Sequence, residues 1–110
     1  MASPFVKAKA ALEKLGYVVG KTEHWNPFAH IRVDLFGCID AVCMRHGSPL
    51  LAVQVTDITS VSKRMAKSHA VARQWVSTGG RFQVIGYTPN SRKPPRIMEM
   101  NTDGEWEEKA

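Results

Sequence analysis

The chain is predicted to be a single α/β domain, with a central mixed β-sheet flanked by helices in the order α-β-β-β-α-β. Two segments have apolar residues at helical spacing, short apolar runs lie between and after them, and Gly- and Pro-containing turns separate the runs. A chain of 110 residues fits one domain with one core. We expect that core to span residues 4–100, with an acidic tail at 103–110 that has no clear core role, although its Trp106 can dock. Helices on both sides of a small sheet are the packing that this order favours.

Both helices are predicted from capping residues and apolar spacing. Ser3 followed by Pro4 is typical of a helix start, and Gly16 of a helix end. Thr59 or Ser60 is expected to cap the second helix, which runs to about residue 77 and ends before a Gly-Gly pair. Each helix carries an apolar stripe that can cover one face of a sheet.

The strands are predicted from short apolar runs bounded by turn residues. They cover residues 31–36, 39–45, 50–56, 81–88 and 96–100, and residues 17–19 begin a further short strand. The run Leu-Leu-Ala-Val at 50–53 is apolar on both faces, which is typical of a central strand covered on both sides. Residues 20–29 are expected to be an irregular loop.

The formal net charge is +5, which favours an anionic partner. Nucleic acid is the commonest such partner of a small basic intracellular domain, and a basic solvated surface is the alternative. No apolar run approaches the roughly 20 residues of a membrane helix, so no membrane partner is expected. The absence of a hydrophobic signal core predicts that the chain is not exported.

The two cysteines, Cys38 and Cys43, are predicted to be reduced core residues. No second Cys/His pair completes a zinc site. Their positions have opposite strand parity, so their side chains should point to different faces of the sheet. Unpaired cysteines fit a reducing, cytoplasmic compartment.

Polar side chains interrupt two neighbouring strands at positions that can meet. If the hairpin between the strands at 39–45 and 50–56 is centred on Gly47, Asp40 opposes Gln54 on the same face, with Cβ atoms roughly 5 Å apart. Thr56 shares that face because side chains alternate along a strand. A slip of one residue would send Asp40 and Gln54 to opposite faces.

These polar groups predict a site for a hard metal ion, since burying polar side chains costs free energy unless something binds them. The Asp40 carboxylate and the Gln54 amide oxygen suit Mg2+ or Mn2+, and Asp34 can add a second carboxylate. The alternative is that Asp34 caps the bend before Gly37. Such an ion activates water and stabilises charge on a phosphate, so the metal and the basic charge together indicate phosphodiester chemistry.

The same residues resemble the core of the PD-(D/E)XK nuclease superfamily. The resemblance is carried by Gly-Cys-Ile-Asp at 37–40, an apolar strand, a turn, and Ala-Val-Gln-Val-Thr at 52–56. The small Holliday-junction resolvases and the VRR-NUC domains, which phages often carry, are the closest in layout. The resemblance covers about residues 8–88 and implies a restriction-endonuclease-like fold.

The resemblance implies a catalytic set of Asp40, Gln54 and Thr56, with Asp34 as an auxiliary metal ligand. Glu13 lies on the first helix, where the family's outer acid can sit. Two residues depart from the family pattern. Gln54 replaces a Glu, which removes one negative charge, and Thr56 replaces the Lys that positions the water or the phosphate.

Cations on the second helix and a later loop are the candidates for binding the phosphate backbone. Lys63, Arg64 and Lys67 follow the predicted site, and a long cationic side chain from this helix can stand in for the missing Lys. Arg92 and Lys93 lie in a Pro-rich loop and can contact phosphates. The alternative for both groups is a solvated surface.

The sequence therefore predicts a metal-dependent endonuclease that acts on double-stranded or branched DNA in the cytoplasm, including the host cytoplasm if the chain is phage-encoded. A homodimer would provide the two sites that cutting both strands requires. The main alternative is a non-catalytic nucleic-acid-binding module that kept the nuclease fold and lost the Lys. A third hypothesis is a structural or inhibitory viral protein that recognises another protein through the loop at 25–28.

Overall fold

The computed structural model describes residues 3–109, in which two helices pack on opposite faces of a six-stranded sheet. Within these residues, neither helix has the length and apolarity that crossing a membrane requires. In chain order the elements are α1 (Pro4–Lys14), β1 (Val18–Lys21), β2 (His24–Asn26), β3 (Ile31–Val33), β4 (Ala41–Met44), β5 (Leu51–Asp57), a 3-10 turn (Ile58–Ser60), α2 (Val61–Ser77), β6 (Arg81–Tyr87), β7 (Arg96–Met100) and β8 (Trp106–Lys109).

The sheet is mixed, and its strand order is β1-β4-β5-β6-β7-β8. Strands β5 and β6 are parallel and are connected through α2, whereas the other neighbouring pairs of this sheet are antiparallel. Strands β2 and β3 form a separate two-stranded hairpin. The prediction of a single α/β domain with a mixed sheet flanked by helices is therefore confirmed.

The strand predicted at 31–36 is wrong in both length and place. Strand β3 ends at Val33 and pairs with β2. Strand β2 itself lies in the segment 20–29, which was expected to be an irregular loop. Phe36 and Gly37 have φ values of 54° and 76°, and this left-handed turn prevents an extended strand from continuing. The place beside β4 is taken by β1, which follows α1 directly and pairs Val18 with Met44.

Each face of the sheet has its own apolar core. Ala8 and Leu12 of α1 pack in a cluster with Val53 and Ile85, and the Ser3 hydroxyl accepts a hydrogen bond from the Val6 amide, as a capping residue should. On the other face, residues of α2 pack in a cluster with Phe82, Val84 and Ala52. Cys43 lies in the first cluster and Cys38 in the second, and both are unpaired, as predicted.

A glycine in β6 allows the chain to bring the start of α2 close to the sheet. A Cβ atom at Gly86 would lie 2.3 Å from Cγ2 of Val61 and 3.1 Å from Cα of Ile58. Any side chain at this position would therefore push the 3-10 turn and the first turn of α2 away from β6. The amino end of α2 consequently lies at the edge of the sheet where β5 and β6 have their carboxyl ends.

The acidic tail was expected to lie outside the core, but it supplies the sixth strand. Strand β8 pairs with β7 along Ile97–Met100. The Trp106 ring packs edge-on against Phe82, with centroids 6.1 Å apart, and its Nε1 donates to Nδ1 of His69 at 3.2 Å. The sheet therefore extends to residue 109, because an apolar anchor holds a segment whose other residues are charged.

A buried polar network joins β6 and β7 on the α1 side. Arg81 donates two hydrogen bonds to the Glu99 carboxylate at 2.7 and 2.9 Å, and Gln83 donates a third at 2.8 Å. Arg81 also donates to the Tyr17 hydroxyl at 2.9 Å. Burial would raise the pKa of Glu99, but these hydrogen bonds and the Arg81 charge outweigh it and hold the pKa below its ordinary value of 4.5.

We expect Glu99→Gln to remove the part of the acid sensitivity that this network produces. Because the folded-state pKa is lowered, Glu99 stabilises the fold above pH 4.5 and loses that contribution as the pH falls through the folded-state value. The variant should lose about 1–3 kcal/mol of unfolding free energy at pH 7 and little at pH 3. Urea unfolding at both pH values measures this. Glu13→Gln, in an exposed ion pair, should change neither value, and equal losses by Glu99→Gln at both pH values would contradict the prediction.

Candidate metal centre

The register of β4 and β5 agrees with the predicted hairpin. The observed pairs are Ala41↔Val53, Val42↔Ala52 and Cys43↔Leu51, and the paired ladder ends at Ala41. The Asp40 amide donates at 2.9 Å to the carbonyl of Val53, the residue that already pairs with Ala41, so the regular ladder does not continue to Asp40. The predicted register is therefore confirmed for Ala41–Cys43, and the pairing of Asp40 with Gln54 stays a prediction.

Gln54 and Thr56 lie on the face of the sheet that α2 covers. Ala52 belongs to the core beneath α2, and alternation along β5 places these two polar residues on the same side. Asp40 directly precedes β4 and is buried, as Gln54 and Thr56 are. Its Oδ2 accepts a hydrogen bond from the Val55 amide at 2.7 Å, which holds the carboxylate next to β5.

A tight turn brings Asp34 to Asp40. Leu35 and Ile39 form an isolated antiparallel bridge, and the turn between them contains the left-handed residues Phe36 and Gly37. The residues that flank this bridge, Asp34 and Asp40, therefore face each other. Asp34 also closes the turn, since its carbonyl accepts from the Gly37 amide at 3.0 Å.

Glu23 completes a group of three carboxylates that sequence reasoning missed. Carboxylate oxygens of Glu23, Asp34 and Asp40 lie within 4.8 Å of one another. Two pairings bring Glu23 there. Thr22, just before it, donates its amide to the Asp40 carbonyl at 2.9 Å, and the hairpin pair His24↔Val33 sets Glu23 opposite Asp34 at the next position.

Asp40 and the neighbouring Gln54 amide are poorly compensated where they lie. Burial raises the pKa of Asp40 to about 7; the Val55 hydrogen bond opposes this shift, and the charges of Asp34 and Glu23 add to it. Gln54 is only 1% exposed, and its Oε1 has no hydrogen-bond partner among the described residues. A cation bound among these oxygens would offset both the cost of ionising the buried Asp40 and the cost of burying the unpartnered Gln54 oxygen.

Two cations that were not predicted from the sequence contact Glu23. Arg32 Nη1 lies 2.5 Å and Lys21 Nζ 3.7 Å from Oε1 of Glu23. Neither was considered because the segment around Glu23 was expected to be an irregular loop. The signal that would have found them is the alternation of side chains along a hairpin. Trp25 pairs with Arg32, and Glu23, two residues before Trp25, shares its face and therefore lies near Arg32.

The α2 cations lie above this edge of the sheet. Lys63 and Lys67 are exposed and Arg64 is half-buried, and none of them forms an ion pair with a described carboxylate. Burial raises the pKa of the Cys38 thiol; the charge of Lys67 opposes this shift, while Asp34 and Asp40 add to it. The charges of Lys67 and of the two acids therefore act on the same thiol.

Other candidate residues lie apart from the carboxylates. Glu13 is exposed on α1, on the opposite face of the sheet, and pairs with Lys9 at 3.8 Å, so the position that the resemblance implies for it does not hold. Arg92 and Lys93 are exposed in the loop after β6. Lys7 of α1 anchors this loop by donating to the Ser91 carbonyl at 3.1 Å. The loop begins at the same edge of the sheet as the acids, but on the α1 side.

Comparisons with protein-family models, with curated proteins and with solved structures find no match to this chain. The site itself consists of three converging carboxylates and a buried amide oxygen, at an edge of the sheet that also carries several cations.

Proposed function

We propose that the protein is a metal-dependent endonuclease that hydrolyses DNA phosphodiester bonds. The observation that carries the proposal is the meeting of the Asp40, Asp34 and Glu23 carboxylates within 4.8 Å, where Asp40 accepts from the amide of Val55, the residue that follows Gln54 with its unpartnered amide oxygen. All four groups are hard oxygen donors, which fit Mg2+ or Mn2+ better than softer metals. Asp40, Asp34 and Gln54 are the metal ligands expected from the sequence, and Glu23 is added to them.

A bound ion would lower the pKa of a water molecule and neutralise charge on the phosphate. The chain would supply positioning. The hydrogen bond from Val55 holds one oxygen of Asp40, so its carboxylate keeps a single orientation. The Thr56 hydroxyl, on the same face, can orient the attacking water or a phosphate oxygen. As the water oxygen bonds to phosphorus, the bond to the leaving oxygen breaks.

The order of elements supports a restriction-endonuclease-like fold. Without the inserted β2–β3 hairpin, the chain runs α1, β1, β4, β5, α2, β6, which is the α-β-β-β-α-β order of the PD-(D/E)XK resemblance. Glu23 also bears on one departure from that family. The charge lost with Gln54 in place of Glu is replaced by a carboxylate from a different part of the chain.

The cations supply the contacts that DNA binding needs. Arg32 and Lys21, which pair with Glu23, are candidates for the charge that Thr56 cannot provide. Lys63, Arg64 and Lys67 on α2 would contact the phosphate backbone without reading its sequence. On the other side, the loop cations Arg92 and Lys93 would extend this contact. Cutting both strands of branched DNA would take two such sites, so a homodimer belongs to the proposal, as does a reducing, cytoplasmic setting for the free cysteines.

A non-catalytic DNA-binding module is the second candidate, and one observation favours it. Position 56, where the resemblance expects a Lys, carries a buried and uncharged Thr. In this alternative, Arg32 and Lys21 neutralise the acids permanently and no ion is required. The two candidates differ in whether DNA is cut and whether a metal ion binds.

The proposal predicts cleavage that requires a metal ion and weakens when one carboxylate is removed. End-labelled branched and linear DNA should be cut with Mg2+ or Mn2+ and remain intact with a chelator. Asp34→Asn should need about 10- to 100-fold more metal for half-maximal cleavage. Asp103→Asn, an exposed acid in a distant turn, is the matched control and should behave as wild type. Metal-independent binding without cleavage would instead support the binding module.

A further inference from the structure

The β2–β3 hairpin projects aromatic side chains that the fold does not bury. Phe28 is 95% exposed and Trp25 is 55% exposed. The backbone that carries them is ordered by local bonds, because Oδ1 of Asn26 accepts from the amides of Phe28 and Ala29 at 3.0 and 3.2 Å. Large apolar side chains held outward on a fixed turn indicate a binding surface more than a packing element.

The hairpin grows directly out of the carboxylate group. Glu23 precedes β2 and Asp34 follows β3, so these two acids form the base of the hairpin. Moving along the hairpin from Glu23 and Asp34, the next pair on the same face is Trp25 and Arg32. The contact between Arg32 and Glu23 agrees with this placement. One such step is two residues, or about 7 Å along a strand. This distance equals about two steps of a stacked nucleic-acid strand, in which bases are about 3.4 Å apart.

The charge of the hairpin distinguishes between possible partners. Arg32 lies directly across from Trp25, and His30 lies edge-on to its ring with centroids 6.3 Å apart. Lys21, just before the hairpin, is a further cation at its base. Aromatic faces interleaved with cations suit the bases and phosphates of a single strand. A protein partner would be expected to meet a surface with fewer charges at its centre.

We infer that this hairpin binds unpaired bases of the DNA strand whose phosphate lies at the carboxylates, with Trp25 as the stacking platform and Phe28 as a second contact at the tip. The inference rests on the proposed function and names its substrate class: DNA with a single-stranded segment beside the cleaved bond. Arg32 neutralises the phosphate between the stacked base and the carboxylates.

The test is equilibrium binding of a fluorescein-labelled single-stranded oligodeoxynucleotide in the presence of a chelator, so that no cleavage occurs. Trp25→Ala should bind about 5- to 150-fold more weakly than wild type, since stacking contributes about 1–3 kcal/mol per base. Trp25→Phe should recover part of this loss. Phe28→Ala, at a site too exposed to affect folding, should also weaken binding. Met44→Ala is the matched control, because Met44 is 56% exposed at the other end of β4.

Two further measurements separate stacking from other roles of the hairpin. The Trp25→Ala defect should disappear on an oligonucleotide with abasic positions throughout, and it should be small on blunt duplex DNA. Equal affinities of wild type, Trp25→Ala and Phe28→Ala for the single strand would overturn the inference, as would an equal loss on duplex DNA. Stacking through Trp25 without any Mn2+-dependent cleavage would contradict the nuclease proposal and support the hairpin inference.

Discussion

Asp40→Asn is expected to abolish metal-dependent cleavage while making the metal-free protein more stable at pH 8. The loss of cleavage should reach about 1,000-fold, the upper range for removing one group that stabilises developing charge. Stability should rise because the Asn side chain carries no charge but keeps an oxygen that can accept the Val55 hydrogen bond. Opposite effects on activity and stability are typical of a residue selected for a site and not for the fold.

The pH dependence of this gain follows from the raised pKa of Asp40. Its folded-state pKa is about 7, against an ordinary 3.8, so ionisation costs stability progressively as the pH rises from about 4 to 7. The full cost, up to about 4 kcal/mol, applies above pH 7 and is absent near pH 3. Asp40→Asn should therefore be more stable than wild type at pH 8 and similar to it at pH 3.

Urea unfolding at pH 3 and pH 8, with and without Mn2+, measures these expectations. Mn2+ at 100 times its dissociation constant should stabilise wild type by about 2.7 kcal/mol and the variant by much less. Asp103→Asn again serves as the control for the removal of one negative charge. A variant that is equally stabilised by Mn2+ and still cuts DNA would place the metal elsewhere.

The second large effect is a gain: Thr56→Lys should raise the cleavage rate by about 10- to 100-fold. Thr56 lies on the same face as Gln54, two residues further along β5, in the place where the PD-(D/E)XK resemblance expects a Lys. An ammonium group there would stabilise the transition-state phosphate. One well-placed donor is worth about 100- to 1,000-fold in rate, of which an introduced Lys should supply part. The nearby carboxylates would hold the new charge, so the fold should tolerate it.

Single-turnover cleavage at saturating enzyme separates this gain from tighter DNA binding. Thr102→Lys adds the same charge at an exposed turn before β8 and should leave the single-turnover rate unchanged. If both variants accelerate cleavage equally, the gain is a general effect of charge and position 56 has no special role. If neither variant nor wild type cuts DNA, the binding module is the better hypothesis.

Local signals in the chain were sufficient for the central hairpin of the site. The alternation of strand side chains and a turn at Gly47 predicted the register that the pairs Ala41↔Val53 to Cys43↔Leu51 show, although the ladder ends before it reaches Asp40. Helix α1 begins at its predicted capping residue, Ser3, whose hydroxyl accepts from the Val6 amide, whereas Ser60 at the start of α2 makes no side-chain capping bond. The role of these residues in metal binding stays a prediction.

The remaining parts of the site depended on which segments pair. The run Ile31–Val33 has the composition of a sheet strand, yet it pairs within a hairpin while Val18–Lys21 takes the sheet edge. That error hid Glu23 and Arg32, because both owe their positions to the hairpin. The tail differs from the prediction in forming a strand, because the Trp106 ring that docks against Phe82 holds an otherwise charged segment beside β7.

By itself, the sequence determined the helices, the central strands and the register of the hairpin between β4 and β5, because turns and side-chain alternation act over a few residues. Only the tertiary structure decided that three carboxylates converge and that aromatic side chains project beside them. Those outcomes depend on which strand covers each exposed sheet edge, and that choice is made by burial and backbone pairing across the whole domain.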